Sequence, residues 1–164
     1  MATKISIEDR FDCSPQKLYD LLSNDKFDDE LMQALKMQKS KQSEEKNADG
    51  TLFKIRLTSP DEIPAIAKKF TGDHLSYVET RQWQDSKLAN TWLIQPEVKG
   101  TTVEAKGTTH IVADGAGCIR KTEGTISVNL PLIGRKIEEM VLKTITDNFS
   151  KNAEFCRKYI KEHD

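Results

Sequence analysis

Over residues 131–164, apolar side chains fall at Ile133, Ile137, Met140, Val141, Ile145, Phe149, Ala153, Cys156 and Ile160. Steps of three and four residues collect them on one face of a helix. The spacing predicts one long terminal helix starting at Pro131, about 40 Å in length at the usual rise per residue. Such an element crosses a whole small domain, so the preceding chain should supply the surface it lies on.

Upstream the hydrophobic period drops to two. Ile5, Ile7 and Phe11 alternate with Lys4, Ser6, Glu8 and Arg10, which predicts a first strand with one wet face. Asp9 interrupts its apolar side, so a twist or bulge is expected there. Ser14-Pro15 supplies an N-cap and a first-turn proline for a short helix to about Leu22, with Leu18, Leu21 and Leu22 facing inward. Asn24 and Asp25 punctuate, and Phe27, Leu31, Met32 and Leu35 predict a second short helix. Met37 to Glu45 is polar and reads as an exposed strand, returned by the Asn47-Ala48-Asp49-Gly50 turn into a strand carrying Phe53, Ile55 and Leu57.

The proline-broken stretch Ser59 to Pro64 ends that hairpin, and Ile66 and Phe70 suggest one or two helical turns before Gly72. Leu75, Tyr77, Glu79, Arg81 and Trp83 form one face of the next strand, and Leu88, Asn90, Trp92 and Ile94 one face of its neighbour. Val98 to Val112 and Cys118 to Val128 complete the sheet across the Asp114-Gly115-Ala116-Gly117 turn. Gly100, Gly107 and Gly124 lie inside strand patterns and are expected to mark bends or bulges of a strongly curved sheet. The sum is an α+β chain: a strand, two short helices, six further strands with a small helical insert, and the long helix. No linker divides it, so residues 1–164 are expected to form a single domain.

Composition narrows the partners. The 25 basic and 26 acidic residues nearly cancel, to a net charge of −1, and are scattered, which argues against nucleic acid. Cys13, Cys118 and Cys156 are too few and too far apart for a disulfide framework or a zinc knuckle, and fit free thiols in a reducing compartment. With no apolar leader and no long apolar run, a cytoplasmic location is expected.

Catalytic signatures are sparse. No serine-nucleophile elbow, zinc-protease helix or phosphate-binding glycine loop occurs, and isolated His74, His110 and His163 predict no metal site. Cys118 could act as a nucleophile only with a base beside it, and His110 on the paired strand is the candidate; otherwise it is a small apolar residue inside the sheet. No catalytic residue, cofactor or metal is therefore assigned. Glu79 and Arg81 remain open: inward they form a buried ion pair or the polar end of a pocket, outward they decorate the surface.

This element order resembles the helix-grip fold of the START-like superfamily, which includes the birch-pollen-allergen proteins and the polyketide cyclases. Three segments more narrowly resemble a bacterial helix-grip family of unknown function: Ile63-Pro64-Ala65 leading to Phe70, Thr80-Arg81-Gln82-Trp83, and Leu130-Pro131-Leu132-Ile133-Gly134-Arg135-Lys136-Ile137-Glu138. The resemblance implies a curved seven-stranded antiparallel sheet wrapped around the C-terminal helix, with two short helices after strand one. It also implies a cavity between sheet and helix that binds lipids, sterols or other apolar small molecules.

On that basis the expected ligand-binding residues form three groups. Phe53, Ile55, Tyr77 and Trp92 would be sheet walls, with Glu79 and Arg81 as polar anchors. Ile63, Ile66 and Phe70 would form a lid, and Ile133, Ile137, Met140, Val141 and Thr144 the helix wall, so that Met140→Trp would block ligand. The expected function is binding, transport or sequestration of a hydrophobic small molecule or lipid. The alternatives are a cyclase- or hydratase-type enzyme in the same cavity, and an interaction module whose lid docks a protein or makes transient membrane contact. Nothing in the pattern sets the oligomeric state.

Overall fold

The computed structural model describes residues 2–163. Strand β1 (Ala2–Phe11) is followed by helices α1 (Pro15–Leu22) and α2 (Asp25–Ala34), strands β2 (Gln38–Asn47) and β3 (Gly50–Thr58), and the one-turn helix α3 (Lys68–Thr71). Strands β4 (Ser76–Gln84), β5 (Ala89–Pro96), β6 (Val103–Asp114) and β7 (Gly117–Val128) lead to the long helix α4 (Gly134–Glu162). All seven strands join in one antiparallel sheet, in the order β1-β7-β6-β5-β4-β3-β2. This is the helix-grip α+β fold.

Both early helices start on side-chain caps. Ser14 accepts a hydrogen bond from the Lys17 amide at 3.1 Å, and Asn24 accepts one from the Phe27 amide at 3.0 Å. Packing then fixes their places. The Tyr19 ring meets Trp83 edge-on at 5.5 Å, and Phe27 packs against Tyr159 at 4.9 Å and Phe155 at 5.7 Å. These aromatic contacts tie α2 to the last turns of α4 and hold it above the inner face of the sheet. Ile137, Val141, Ile145, Ala153, Cys156 and Ile160 bury the opposite length of α4 against the sheet.

Three local expectations change. Helix α4 begins at Gly134 rather than Pro131, because Leu132 takes a left-handed backbone (φ 68°) that no helix can continue. At Asp9 the β1–β7 register runs unbroken: Asp9 sits directly opposite Arg120 and bonds it, so the polar residue on the apolar side has a partner rather than a bulge. Gly100 lies in the loop between β5 and β6 with φ 77°, whereas Gly107 and Gly124 face one another in an unshifted ladder beside Trp92.

That glycine pair has a packing reason. A Cβ on Gly107 would reach 2.7 Å from the Trp92 ring, and one on Gly124 would reach 2.8 Å, with backbone carbonyls closer still. The absent side chains leave a trough across β6 and β7 that takes the six-membered ring of the indole. Gly124→Ala should therefore push the ring off the sheet and cost about 1–3 kcal/mol, measurable by urea unfolding with Trp fluorescence.

Candidate functional site

Where α2 bridges the gap between the sheet and the middle of α4, the interior stays open. The cavity measures about 110 Å³. Its roof is Phe27, Leu31 and Met32 of α2, with Leu22, Leu35 and Met37 at the margins. Its sheet wall is Leu57, Tyr77, Trp83, Trp92 and Ile94, and Asn148, Phe149 and Asn152 close the helix side. The apolar residues come from helical spacing in α2 and from alternation in β3, β4 and β5.

Polar groups concentrate in two places. At one side, Arg81 donates from Nη1 to Asp28 Oδ1 at 2.9 Å and from Nε to Glu79 Oε2 at 2.8 Å. The other Asp28 oxygen accepts from Lys39 Nζ at 2.7 Å, and Lys39 also reaches Asp25 at 2.9 Å and Asp29 at 2.7 Å. The strand face left open by the sequence is thus inward, and α2 supplies the carboxylate that makes it tolerable. Burial alone would raise Asp28, but Arg81 and Lys39 outweigh it and hold the carboxyl below its usual range. Arg81, which burial would lower, is pushed up by Asp28 and Glu79.

At the other side, Arg120 is 2% exposed. It bonds Asp9 at 2.9 Å and the Asn152 side-chain oxygen at 2.6 Å, with its guanidinium 5.3 Å from the Phe11 ring centre and 5.1 Å from that of Phe149. Between the two groups, Tyr77 lies with its hydroxyl 3.5 Å from the Asn148 amide nitrogen, its pKa raised by burial and by Glu79. Each shifted group on the cavity wall is therefore pushed further into its ordinary charge state, and none is tuned towards neutral pH for proton transfer.

The expected site residues separate into four places. Tyr77, Glu79, Arg81 and Trp92 line the cavity. Ile66, Met140 and Thr144 meet instead in an outer groove between the 61–67 segment and α4, whose rim is charged through Asp61, Glu62, Lys136, Glu139, Lys143, Asp147 and Lys151. Phe70 borders a shallow surface hollow with Arg56 and Glu97. Phe53, Ile55, Ile63, Ile137 and Val141 are buried in the packed core, and Ile133 is partly buried against it. Of the lid segment, Ile63 is thus core and Ile66 is 55% exposed. The cavity meets α4 at Asn148–Asn152, about one turn beyond the end of the Ile133–Thr144 wall expected from the sequence.

Missed by the sequence reading were Asp28, Asn148, Asn152, Thr109 and Arg120. Asn148 and Asn152 form an i, i+4 polar pair beside apolar Ile145, Phe149 and Ala153, and Arg120 and Thr122 occupy inward positions of a strand; both patterns signal a polar interior. Cys118 faces Ala113 in the ladder, while His110 pairs with Lys121 and is exposed. Burial and neighbouring Cys13 push the Cys118 thiol up to about 12, so it stays protonated. Among the described residues no cluster of His, Cys, Asp or Glu suits a metal ion, and no helix is long and apolar enough to cross a membrane.

Solved structures share the fold across nearly the whole chain. The Zhui aromatase/cyclase from Streptomyces sp. R1128 superposes with a TM-score of 0.67 at 7% identity, covering 94% of this chain and 90% of that one. Norcoclaurine synthase from Thalictrum flavum gives 0.66 at 18% identity, covering 99% and 88%. A START superfamily protein from Mycobacterium smegmatis gives 0.57 at 13% identity, covering 97% and 98%. No curated protein matches the sequence. A family profile, described as protein of unknown function (DUF2505), matches residues 6–160.

Proposed function

Because the chain belongs to the family of unknown function DUF2505, whose description offers no activity to carry over, we propose from the site itself that it binds a hydrophobic small molecule between sheet and α4. The observation that carries this is the roofed cavity of about 110 Å³, apolar on the α2 side and polar at its ends. The fold supports the same reading, since norcoclaurine synthase, which shares it, has been solved in complex with dopamine and hydroxybenzaldehyde. Binding is favoured over catalysis in this chain by the charge states: Asp28 and Arg81 neutralise each other, and Tyr77 keeps its proton.

Native mass spectrometry of protein purified from cells should detect a co-purifying compound. Asn148→Phe places a ring into the cavity at the expense of one long hydrogen bond, and should weaken binding at least about tenfold while the fold persists. Met140→Trp, in the outer groove, should leave the complex intact. The reverse outcome, loss in Met140→Trp and retention in Asn148→Phe, would move the ligand to the groove.

A further inference from the structure

The three cysteines, far apart in sequence, come together in one corner of the core. Cys118 stands at the start of β7 and pairs with Phe11 in the β1–β7 ladder, so the two side chains share the inner face. Cys13 lies two positions past Phe11, in the bend that leads to α1, and packs in the same buried cluster. The backbones are close here, since a Cβ on neighbouring Gly117 would fall 2.5 Å from the Phe11 carbonyl oxygen. The Cys13 and Cys118 side chains meet in a hydrogen bond, thiol to thiol. Cys156, on α4, lies within electrostatic range of Cys13 but bonds instead to the Asn152 side-chain oxygen at 3.4 Å.

The two thiols in contact differ in access and in freedom to move. Cys118 is 0% exposed and fixed in the ladder, whereas Cys13 is 8% exposed and belongs to a short bend between β1 and α1. A shift of that bend, bringing sulfur to bonding distance, disrupts no strand pairing. Metal binding is not the chemistry of this corner, because among the described residues no group of His, Cys, Asp or Glu suits a metal ion. Two adjacent thiols can instead share an oxidation.

We propose that Cys13 and Cys118 form a redox couple that closes to a disulfide under a hydroperoxide and reopens under a thiol reductant. The oxidant reaches the more accessible Cys13 first: its sulfur attacks the peroxide O–O bond, which breaks, and with hydrogen peroxide the products are a sulfenic acid and water. The Cys118 sulfur then attacks the Cys13 sulfur. The S–S bond forms as the S–O bond breaks, and the Cys118 proton leaves with the oxygen as a second water. The two thiols give up two electrons, and the one peroxide takes them. Burial holds the proton on Cys118, which makes the second step slow and the couple a reporter of sustained oxidation. The bond pins the base of α1, which packs on the cavity wall through Tyr19 and Trp83 and leads directly into α2, the roof. Oxidation therefore tightens the roof, whatever the cavity holds.

Full-length protein incubated with hydrogen peroxide, alkylated, digested without reduction and mapped by mass spectrometry should yield a Cys13–Cys118 linked peptide pair that dithiothreitol removes. Closing a loop of about 100 residues should raise the melting temperature by about 5–15 °C, and amide exchange in α1 should slow. Cys156→Ser should form the same bond with the same shift, and Cys13→Ser should lose both. Cys13 and Cys118 remaining thiols after peroxide, Cys13 running on to sulfinic acid, or Cys13 pairing with Cys156 overturns the proposal. A linked pair with a lowered melting temperature overturns it equally, because the native contact would then not be the one that closed. Mapping of the wild-type chain decides the matter even where a variant fails to fold.

Discussion

Arg120→Met should lower the free energy of unfolding by about 3–5 kcal/mol, among the largest losses available from a single substitution in this chain. The size follows from what the guanidinium holds together. It bonds Asp9 on β1 and Asn152 on α4, and lies near the Phe11 and Phe149 rings, so one side chain joins the sheet's edge strand to the helix laid across it. Methionine replaces most of the apolar stem but leaves the Asp9 carboxylate, whose side chain is 13% exposed, without its cation. A second substitution, Asp9→Leu, removes that stranded charge and should recover most of the loss. Urea unfolding of the two single variants and the double variant measures the coupling. A loss below about 1 kcal/mol in Arg120→Met would show that Asp9 is solvated well enough to stand alone.

Acid should release α2 through the other buried cluster. The folded state holds Asp28 and Asp25 below their usual carboxylate range, so their contribution is complete above the unfolded value of 3.8 and fades as the pH falls through the lower folded values. Lys39 is raised instead: burial would lower it, but hydrogen bonds to Asp28 and Asp29 prevail. Its contribution is complete below 10.5 and is lost only as the pH climbs through the higher folded value. Between those limits this cluster makes stability flat with pH. Asp28→Asn removes the carboxylate shared by Arg81 and Lys39, should cost about 3–5 kcal/mol, and should flatten the acid limb of the melting profile. A wild-type acid limb retained in Asp28→Asn would place the acid-sensitive group elsewhere. Because Asp28 sits on the helix that roofs the cavity, ligand affinity should fall with stability on the acid side.

Particular residues show why the architecture could be read from the chain and the site only partly. Alternation through β4 assigned Tyr77, Glu79, Arg81 and Trp83 to one face, and the period of α4 assigned its buried stripe, because both depend on local geometry alone. Which way the β4 face points depended on Asp28, 53 residues before Arg81, and no local pattern carries that contact. The cavity's position escaped for a related reason. An apolar stripe running from Ile133 to Ile160 looks the same whether the sheet touches it or stands away. The separation is set by α2, which aromatic contacts to Phe155 and Tyr159 hold against the distal half of α4. The glycines misled in the same sense: Gly107 and Gly124 make room for the Trp92 ring, a partner on a different strand.

The strand order also governs the sequence of events in folding. Strands β2 to β7 follow one another as neighbours, so each can zip onto the last, across short connections everywhere except the 59–75 segment that carries α3. Strand β1 has to wait for β7, and the Asp9–Arg120 bond that joins them spans 111 positions of chain. Closure of so long a loop belongs to the slow class of rate-limiting events. The final docking of β1 and α4 is therefore the expected bottleneck, and until it completes, the meander from β2 to β7 has its inner face, cavity wall included, open to water. A small molecule that stabilises the finished cavity would accordingly slow unfolding more than it speeds folding.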